Sequence, residues 1–354
     1  MSRGFHPLAV SRVRPQTADG VAVTFDVPDD LGETFRFTPG QYLTLRTHID
    51  GEEVRRSYSI CAPDNAGHLE VGIKRVGGGR FSNFAMALAP GDTVEAMAPQ
   101  GRFTAAIGGR HDYLLVAAGS GITPCLSIAA SVLAGEPEST VTLLYGNSRT
   151  DTVMFRAEID ALKDAHVSRL RVFHVLSREP QDVDWLHGRI DGARVETLHE
   201  KGLIDVAGFH AAYLCGPQAM IEDVAGALKR LGLPEEAVRF ELFTSAGTPP
   251  PPPVAKEIVD DGARVEIVID GSTRSVPIDA TRETVLQAAQ RAGLDLPFSC
   301  AGGMCCTCRA KVVDGAVAMD ANYALEDWEV DAGFALMCQA RPRCDKVKVD
   351  FDAV

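Results

Sequence analysis

The sequence lacks both an excess of basic residues and an obvious export signal. Its 354 residues include 35 Lys or Arg and 48 Asp or Glu, which gives a formal net charge of −13. Because binding to nucleic acid needs a basic surface, we expect no nucleic-acid partner. The opening residues MSRGFHPLAV do not contain the long apolar stretch of a secretory signal, so we expect a cytoplasmic protein.

A membrane span is also lacking, although one segment has a suitable length. Residues 113–135 carry no charged side chain, and an apolar run of that length could cross a bilayer. The middle of this run, GSGITP, is a turn sequence that would break a spanning helix. We therefore predict a buried strand over residues 113–118, a loop, a helix that begins near Pro124, and no membrane partner.

Cysteine is scarce in most of the chain and concentrated near its end. Six of the nine cysteines follow residue 299. An odd number of cysteines in a protein expected in the cytoplasm argues against a disulfide framework and favours metal ligation. Residues 257–354 are also more acidic than the rest, with 17 acidic and 10 basic side chains. The cysteine content and the acidity both distinguish the C-terminal region from the rest of the chain.

Five consecutive prolines at residues 249–253 mark the clearest domain boundary, because such a run favours an extended spacer. Residues 1–107 predict an antiparallel β-barrel, with strands within VAVTFDV, QYLTLRTHI, RRSYSICA, HLEVGIKRV and DTVEAMAP. Residues 108–246 alternate apolar strands with helical segments, which predicts an α/β domain with a parallel sheet. We therefore expect a multidomain protein, with a proline-rich linker at 247–256 and a third domain at 257–354.

The most specific motif is a C-x4-C-x2-C sequence formed by Cys300, Cys305 and Cys308, which Cys338 follows further along the chain. This is the spacing of plant-type [2Fe–2S] ligands, in which three thiolates on one loop and a fourth from elsewhere enclose two irons. A zinc site and unbound thiols are the alternatives, but structural zinc usually uses two short cysteine pairs. The pattern favours the iron–sulfur cluster.

Other residues of the same region have expected structural roles. Gly302 and Gly303 are expected to adopt positive φ and to bring backbone N–H groups close to the sulfurs. Cys306 and Cys344 do not fit the four-ligand pattern. We expect both to be buried or unreactive thiols.

Two motifs in the first domain favour a flavin site. Arg56, Tyr58 and Ser59 lie at the end of a predicted strand, where Arg can pair with a pyrophosphate, Tyr can stack on a flavin ring and Ser can hydrogen-bond flavin N5. The second motif precedes an apolar helix whose start can receive phosphate. It consists of Gly79, Arg80, Phe81 and Ser82. The first motif alone also fits an ordinary amphipathic strand, but the pair is more specific.

A glycine-rich turn in the second domain favours a dinucleotide site. Gly119 and Gly121 follow the strand at 113–118, which is where pyrophosphate binds in an open α/β sheet. Thr123 and Pro124 come next, and the third glycine of the usual fingerprint is absent. A lone Gly-x-Gly is weak evidence, so its position at a strand-to-helix turn carries the prediction.

Two later strand ends are expected at the same edge of the sheet. Cys215, Gly216 and Pro217 end one strand there, and the alternative for Cys215 is a packed core thiol. Ser177 and Arg178 close another strand, where a hydroxyl and a guanidinium could bind a ribose 2′-phosphate. A solvated turn is the alternative for this pair.

The phrases RSYS, GGRFSNF, GSGITP and CGP, in this order, resemble the ferredoxin–NADP⁺ reductase superfamily, in which a flavin barrel precedes a nicotinamide domain. With a C-terminal plant-type ferredoxin domain, the chain resembles the reductase component of an oxygenase. The phrases FTPGQYLTLR, LLYGNSRTDTVMFR and CQARP are similar to those of the reductase subunits of bacterial phenylacetyl-CoA 1,2-epoxidases. The resemblance implies an α+β (β-grasp) fold for residues 257–354, and FAD, NADPH and a [2Fe–2S] cluster as cofactors.

The resemblance also implies roles for individual residues. Lys74 would complete the FAD site with residues 79–82, and Phe243 would cover the other flavin face until the nicotinamide displaces it. Residues 119–124 and 215–217 would hold NADPH, and the four motif cysteines would ligate the cluster. Where the family usually has a small residue such as Ala or Ser, this chain has Cys306.

The implied activity is electron transfer from NADPH, through FAD and the cluster, to the di-iron oxygenase subunits of a multicomponent epoxidase. Flavin is needed because hydride carries two electrons and the cluster accepts one at a time. No acid–base residue is expected to be indispensable for the hydride step. Two alternatives remain at this point: a reductase of another aromatic oxygenase or demethylase, which often uses FMN and NADH, and a non-catalytic redox sensor.

Overall fold

The computed structural model describes residues 4–243 and 262–353. The chain divides into two compact units, Met1–Ala246 and Gly247–Val354. The proline-rich linker expected at residues 247–256 lies outside the described residues. Each unit has its own buried core.

The first unit begins with a six-stranded antiparallel sheet. Its elements are β1 (His6–Thr17), β2 (Gly20–Asp26), β3 (Tyr42–Ile49), β4 (Glu52–Ser59), β5 (Leu69–Lys74), α1 (Arg80–Ala85) and β6 (Thr93–Ala96), with a 3₁₀ helix at Asp29–Leu31. The strand order is β4-β3-β6-β1-β2-β5. An antiparallel bridge between Ile60 and Val71 joins the two ends of this order, so the sheet closes into a barrel.

Strand β1 is absent from the strands expected from the sequence. It contains Pro7 and Pro15, and proline is normally depleted in strands. The strand tolerates Pro15 because the pairing of β1 with β2 is irregular between Pro15 and Thr17. Because of these prolines, the sequence pattern did not indicate a strand here, although β1 pairs with both β2 and β6.

The second part of the first unit is a five-stranded parallel sheet covered by helices, as expected. Its elements are β7 (Asp112–Ala118), α2 (Ile122–Gly135), β8 (Thr140–Asn147), α3 (Arg156–Ala165), β9 (Leu170–Leu176), α4 (Gly192–Glu200), β10 (Ala211–Gly216), α5 (Gln218–Arg230) and β11 (Val238–Leu242). Short 3₁₀ helices lie at Gly119–Gly121, Thr150–Thr152, Asp184–Leu186, Val206–Gly208 and Glu235–Ala237. The strand order is β11-β10-β7-β8-β9.

The uncharged segment at residues 113–135 forms a strand, a turn and a helix, as its sequence indicates. Helix α2 begins at Ile122, two residues before Pro124. Within residues 4–243 and 262–353, no helix is long and apolar enough to cross a membrane.

The barrel packs directly on the α/β layer of the same unit. Ser127 Oγ donates a hydrogen bond to the Ala62 carbonyl at 2.7 Å. An ideal Cβ on Gly72 of β5 would lie only 2.5 Å from Thr123 Cγ2, so the two layers meet without room for a side chain there. This close packing brings the end of β4 towards the carboxyl edge of the parallel sheet.

The second unit is a small α+β domain, which confirms the expected class. Its elements are β12 (Ala263–Ile269), β13 (Ser272–Ile278), α6 (Val285–Arg291), β14 (Arg309–Asp314), β15 (Val317–Met319), α7 (Asp327–Asp331), β16 (Phe334–Leu336), β17 (Ala340–Pro342) and β18 (Lys346–Asp350). The main sheet has the order β13-β12-β18-β14-β16, and β15 pairs with β17. Helix α6 begins with a capping box between Thr284 and Gln287, and its apolar face is buried in the core.

Candidate redox sites

The glycine-rich turn after β7 lies where a parallel sheet can receive a dinucleotide. Strand β7 is central, with β8 on one side and β10 on the other, so the connections diverge at its carboxyl end. Gly119 has a φ of 54°, and no heavy atom lies within 4 Å of the position that its Cβ would take. Tyr145 Oη donates a hydrogen bond to the Gly119 carbonyl at 2.9 Å. The turn is therefore anchored to β8 and leaves room for a ligand.

Gly121 connects this turn to the Cys215 strand end. An ideal Cβ on Gly121 would lie 2.2 Å from the Cys215 carbonyl oxygen, so only glycine fits. Cys215 is fully buried, and burial, followed by the charge of Glu241, raises the pKa of its thiol well above the usual value. Cys215 is thus a neutral, packed thiol at the ligand-binding edge. Its contact with NADPH stays a prediction.

Glu241 of β11 is a site residue for which the sequence analysis gave no role. It is paired with Cys215 across the sheet, and its Oε2 accepts a hydrogen bond from Ser59 Oγ at 3.4 Å. Burial raises the pKa of Glu241 to about 7, and the Ser59 hydrogen bond offsets only part of this rise. The Glu241 carboxyl can therefore hold a proton near neutral pH, beside the predicted flavin-contacting hydroxyl. The sequence signal that could have pointed to Glu241 was an acidic residue within the partly apolar strand VRFEL.

The structure places Phe243 at the same edge. Its backbone N–H donates to the Gly216 carbonyl at 3.0 Å, and its side chain is partly buried against the core below the parallel sheet. Gly216 is tightly packed, because an ideal Cβ there would lie 2.7 Å from Met220 Cε. Thr123 is buried and donates to the Ser120 carbonyl at 3.0 Å, whereas Pro217 is exposed directly before α5.

The predicted flavin residues of β4 differ in exposure. Arg56 is exposed, and its Nη1 donates to the Arg55 carbonyl at 2.6 Å. Among the described residues it has no ion pair, so the guanidinium keeps donors for a pyrophosphate. Tyr58 is half-buried with its ring 5.4 Å from that of Phe81, and burial raises its pKa. A phenol that stays neutral and packed on one face fits a stacking role.

The segment after β5 is held mainly by its own contacts. Ser82 Oγ accepts from the Val76 N–H at 3.1 Å, and Phe81 is 1% exposed in the barrel core. Any contact of Phe81 with a cofactor would therefore be made by its main chain. Arg80 is paired with Glu52, and Lys74 Nζ lies 3.8 Å from Asp19 Oδ2. The roles of these residues towards FAD stay predictions.

Ser177 and Arg178 follow β9 next to the end of β8. Their backbone N–H groups donate to the carbonyls of Asn147 and Ser148 at 3.0 and 2.8 Å. Arg178 is exposed, and the described part of the chain provides no ion pair for it. The neighbouring Glu179 accepts from both the N–H and the hydroxyl of Thr150, which lowers its pKa. The carboxylate is thus engaged while the guanidinium remains available.

The four motif cysteines come together in the second unit as two pairs. Cys300 hydrogen-bonds with Cys305, and Cys308 hydrogen-bonds with Cys338. Backbone N–H groups of Gly302 and Met304 donate to Cys300 Sγ at 3.4 Å each. The Cys305 hydrogen bond, followed by these N–H groups, lowers the pKa of Cys300 to about 6. The loop therefore stabilises a thiolate.

This arrangement fits a two-iron cluster better than a single metal ion. Structural zinc needs four protein ligands around one ion, whereas a [2Fe–2S] cluster needs two thiolates on each of its irons. The two cysteine pairs match the second requirement. All nine cysteines are free of disulfides.

The conformation of the cluster loop differs in part from expectation. Gly303 adopts a φ of 80° as expected, but Gly302 does not adopt positive φ. Ala301 and Cys306 take the left-handed conformation instead, with φ values of 49° and 54°. Because sequence patterns assign positive φ to glycine first, these two residues were missed. Cys306 donates its thiol to the Ala324 carbonyl at 3.4 Å.

Gln339 is a second residue that sequence reasoning missed. Its side-chain N–H₂ donates to the Ala301 carbonyl at 3.0 Å and to the Cys338 carbonyl at 2.9 Å. It therefore joins the three-cysteine loop to the segment of the fourth cysteine. Thr307 acts on the same loop, since its hydroxyl donates to Cys305 Sγ at 3.2 Å.

Comparisons with known proteins agree with this geometry. Three family profiles match: an oxidoreductase FAD-binding domain at residues 10–105, an oxidoreductase NAD-binding domain at 115–226, and a 2Fe-2S iron-sulfur cluster binding domain at 267–343. The fold resembles phthalate dioxygenase reductase, with a TM-score of 0.55 and 22% identity over 98% of both chains. It also resembles an intact type IV self-sufficient cytochrome P450 monooxygenase, with a TM-score of 0.70 and 23% identity over 98% of this chain and 41% of that one.

Two curated relatives match over nearly their whole length. A subunit of the 1,2-phenylacetyl-CoA epoxidase from Escherichia coli (strain K12) is 46% identical over 99% of this chain and 98% of that protein. The ferredoxin reductase component of 3-ketosteroid-9-alpha-monooxygenase from Rhodococcus rhodochrous is 34% identical over 97% of this chain and 96% of that protein. The chain is thus an NAD(P)-linked oxidoreductase with FAD-binding and [2Fe–2S]-binding domains. It belongs to the family of oxygenase reductase components that includes these two proteins.

Proposed function

We propose that this protein is the reductase component of a phenylacetyl-CoA 1,2-epoxidase. It would pass electrons from NADPH, through FAD and a [2Fe–2S] cluster, to the di-iron oxygenase subunits. The observation that carries this proposal is the 46% identity with the E. coli epoxidase protein over essentially the full length of both chains, against 34% for the ketosteroid monooxygenase component. We further propose that it works in the cytoplasm.

The proposed division of labour follows from the two sites. When bound, the nicotinamide supplies hydride, the flavin accepts its two electrons, and the cluster passes them on singly. The turn at Gly119 would bind the dinucleotide backbone, and Tyr58 and Ser59 would hold the flavin at the end of β4. Glu241 would hold a proton next to the Ser59 hydroxyl, which supports the proposal that this pair orients the flavin edge.

The proposed preference for NADPH depends on charge at the end of β9. Arg178 is exposed and available for a 2′-phosphate, and Arg149 lies on the neighbouring turn. A free carboxylate in this position would repel the phosphate and favour NADH. Glu179 stays ionised next to Arg178, because its hydrogen bonds with Thr150 lower its pKa, so the proposal rests on the two arginines outweighing this carboxylate.

The test is reconstitution with purified components. The protein, NADPH, O₂, phenylacetyl-CoA and the di-iron oxygenase subunits should together form the epoxide, and omission of any one should abolish it. The matched comparison replaces the di-iron subunits by a 3-ketosteroid 9α-monooxygenase and its steroid. Faster electron delivery to the steroid system would contradict the epoxidase assignment. Absence of NADPH oxidation with every acceptor would favour the redox-sensor alternative.

A further inference from the structure

Tyr145 of β8 lies buried directly beside the glycine-rich turn that follows β7. Its neighbour across the sheet is Ala117, near the end of β7, and its own side chain is fully buried. Its Oη lies 2.9 Å from the Gly119 carbonyl oxygen and 3.3 Å from the Met154 carbonyl oxygen. Because a phenol has a single proton to donate, and the Gly119 oxygen is nearer the usual O–H···O distance, the stronger hydrogen bond goes to Gly119.

The Tyr145 hydroxyl is a fixed and neutral donor. Burial raises the pKa of Tyr145, and the hydrogen bonds of its hydroxyl offset only part of this rise, so the phenol stays protonated at neutral pH. Its ring lies 5.9 Å from that of His174, its neighbour on β9, and is enclosed by the core below the parallel sheet. The hydroxyl therefore remains next to the turn.

Two successive carbonyl groups of the turn are engaged by donors of the protein. The Gly119 carbonyl accepts from Tyr145 Oη and from the Ile122 N–H, and the Ser120 carbonyl accepts from Thr123 Oγ1 at 3.0 Å. In a planar trans peptide the C=O and the N–H point in opposite directions. Because the Gly119 carbonyl points towards Tyr145, the N–H of the same peptide, which belongs to Ser120, points away from it.

The orientation of this peptide decides whether the turn attracts or repels a phosphate. A backbone N–H binds an anionic oxygen, whereas a carbonyl oxygen in the same place would repel it. Gly119 can adopt other orientations, because it has no side chain and no heavy atom lies within 4 Å of the position that its Cβ would take. The Tyr145 hydrogen bond selects one orientation of this permissive peptide.

We propose that Tyr145 is a positioning residue, which holds the Gly119 carbonyl towards β8 and thereby presents the Ser120 N–H to the pyrophosphate of the dinucleotide. This inference rests on the proposed binding of NADPH at the Gly119 turn. Tyr145 is fully buried and does not itself touch the ligand, whereas Ser120 is partly exposed. Tyr145 should therefore affect the affinity for the pyrophosphate, and not the binding of the other parts of the dinucleotide.

The test uses the full-length protein with FAD and the cluster bound. Tyr145→Phe removes the hydroxyl and keeps the ring. The matched control is Tyr213→Phe on β10, since Tyr213 is also buried and its Oη donates to a carbonyl outside the turn, that of Thr104, at 3.2 Å. The Kd is measured by titration calorimetry for two ligands: NADP⁺, and 2′-AMP, which has the adenosine and the 2′-phosphate but no pyrophosphate.

For Tyr145→Phe we expect the Kd of NADP⁺ to rise by about three- to tenfold, the range that one hydrogen bond contributes. The Kd of 2′-AMP should stay within about twofold of wild type, because its contacts lie outside the turn. In stopped-flow reduction of the flavin by NADPH, the half-saturating concentration should rise and the limiting rate should not change. Tyr213→Phe should match wild type with both ligands.

A measurement on the wild-type protein tests the same N–H without any substitution. Hydrogen exchange of the Ser120 amide, followed by NMR, should become slower when NADP⁺ is added, because the bound N–H is withdrawn from water. It should not respond to 2′-AMP. This result remains decisive even if Tyr145→Phe does not fold.

Several outcomes would overturn the inference. The same Kd of NADP⁺ for wild type and Tyr145→Phe would show that the orientation of the turn does not depend on this hydroxyl. Equal weakening of NADP⁺ and 2′-AMP would assign Tyr145 to the general packing of the sheet edge. Exchange of the Ser120 amide that NADP⁺ leaves unchanged would show that this N–H does not bind the pyrophosphate. If wild type does not bind NADP⁺ at all, the proposed function fails first, and that result is distinct from the others.

Discussion

The two redox sites are built in opposite ways. The site at the edge of the parallel sheet draws on residues from β4, the turn after β7, β10 and β11, and the Ser59–Glu241 hydrogen bond joins the barrel to the α/β layer. The predicted iron–sulfur site has three candidate ligands on one loop and the fourth on a segment that Gln339 hydrogen-bonds to it. The first site therefore depends on how two layers pack, and the second depends mainly on local backbone shape.

The cysteines of the two sites show this difference most directly. At the sheet edge, burial raises the pKa values of Cys125 and Cys215, which keeps both thiols neutral. In the cluster loop, hydrogen bonds lower the pKa of Cys300 to about 6. Hydrogen-bond donors around the sulfur, and not burial alone, thus determine which thiol of the loop ionises most readily, because the pKa values of the neighbouring Cys305 and Cys308 are raised.

The largest effect is expected from removal of a cluster ligand. Cys338→Ser should eliminate the cluster, so that iron falls from roughly two atoms per chain to near zero. NADPH should still reduce the flavin, because the first unit keeps its own site. Iron analysis and visible absorption check the first expectation, and stopped-flow flavin reduction checks the second. Cys344→Ser is the control, and an unchanged iron content in Cys338→Ser would remove Cys338 from the ligand set.

The second prediction adds one methyl group at the sheet-edge site, where the turn after β7 meets the end of β10. Gly121→Ala would place its Cβ 2.2 Å from the Cys215 carbonyl, and such overpacking costs about 1–3 kcal/mol of unfolding free energy. NADPH should also reduce the flavin more slowly, since the turn must shift. Thermal unfolding and rapid kinetics measure both effects.

Gly226→Ala in α5 is the matched control for this substitution. Its Cβ would meet only the flexible end of Arg230 at 3.4 Å, so the change should stabilise the helix by about 0.5–1 kcal/mol. Equal destabilisation by the two substitutions would contradict the special role of packing at Gly121.

The third prediction concerns cofactor choice and leaves the packing of both sites intact. Arg178→Ala should weaken the use of NADPH by on the order of tenfold or more, because charge-assisted hydrogen bonds contribute about 1.5–3 kcal/mol. The use of NADH should change little. The ratio of kcat/KM for the two cofactors is the measurement, and equal losses with both would show that Arg178 has a structural role.

The fourth prediction is a pH dependence of stability due to Glu241. Its pKa is about 7 in the folded protein against a usual 4.5, so the folded state binds the proton more tightly. Its contribution is fully present below about pH 4.5 and is lost as the pH rises through about 7. Glu241→Gln cannot titrate and should gain on the order of 1–3 kcal/mol relative to wild type between those limits. If the stabilities of wild type and Glu241→Gln, measured by melting curves, differ by the same amount at every pH, the raised pKa of Glu241 is contradicted.

The local nature of the iron–sulfur site explains why candidate ligands could be predicted from the sequence. Three cysteines at fixed spacing form one loop, so their sequence positions already describe their proximity. By contrast, Ser59 and Glu241 are separated by most of the first unit, and only the packing of β4 against the α/β layer brings them together. No periodicity or spacing encodes such a pair.

Other differences have equally specific causes. Strand β1 was hidden by its two prolines, one of which lies at an irregularity in the pairing with β2. The positive φ of Ala301 and Cys306 was missed because two glycines stood beside them, and only one of these uses that conformation. Gln339 was missed because an amide next to a ligand has no distinctive spacing, although it hydrogen-bonds two cluster segments.

The accessibility of the nine thiols allows chemical labelling to report whether the cluster is present. Cys61, Cys125 and Cys215 are buried, and four more are the expected ligands. Cys306 and Cys344 remain, and both are partly exposed, although we expected buried or unreactive thiols. A mild alkylating reagent should therefore modify a small and fixed number of sites in the intact protein. A molecule that has lost its cluster would expose the cysteines that held it, and the same reagent would label them too. The mass of each labelled chain therefore distinguishes molecules with a cluster from those without one. The fraction of the preparation that can still transfer electrons follows from this comparison.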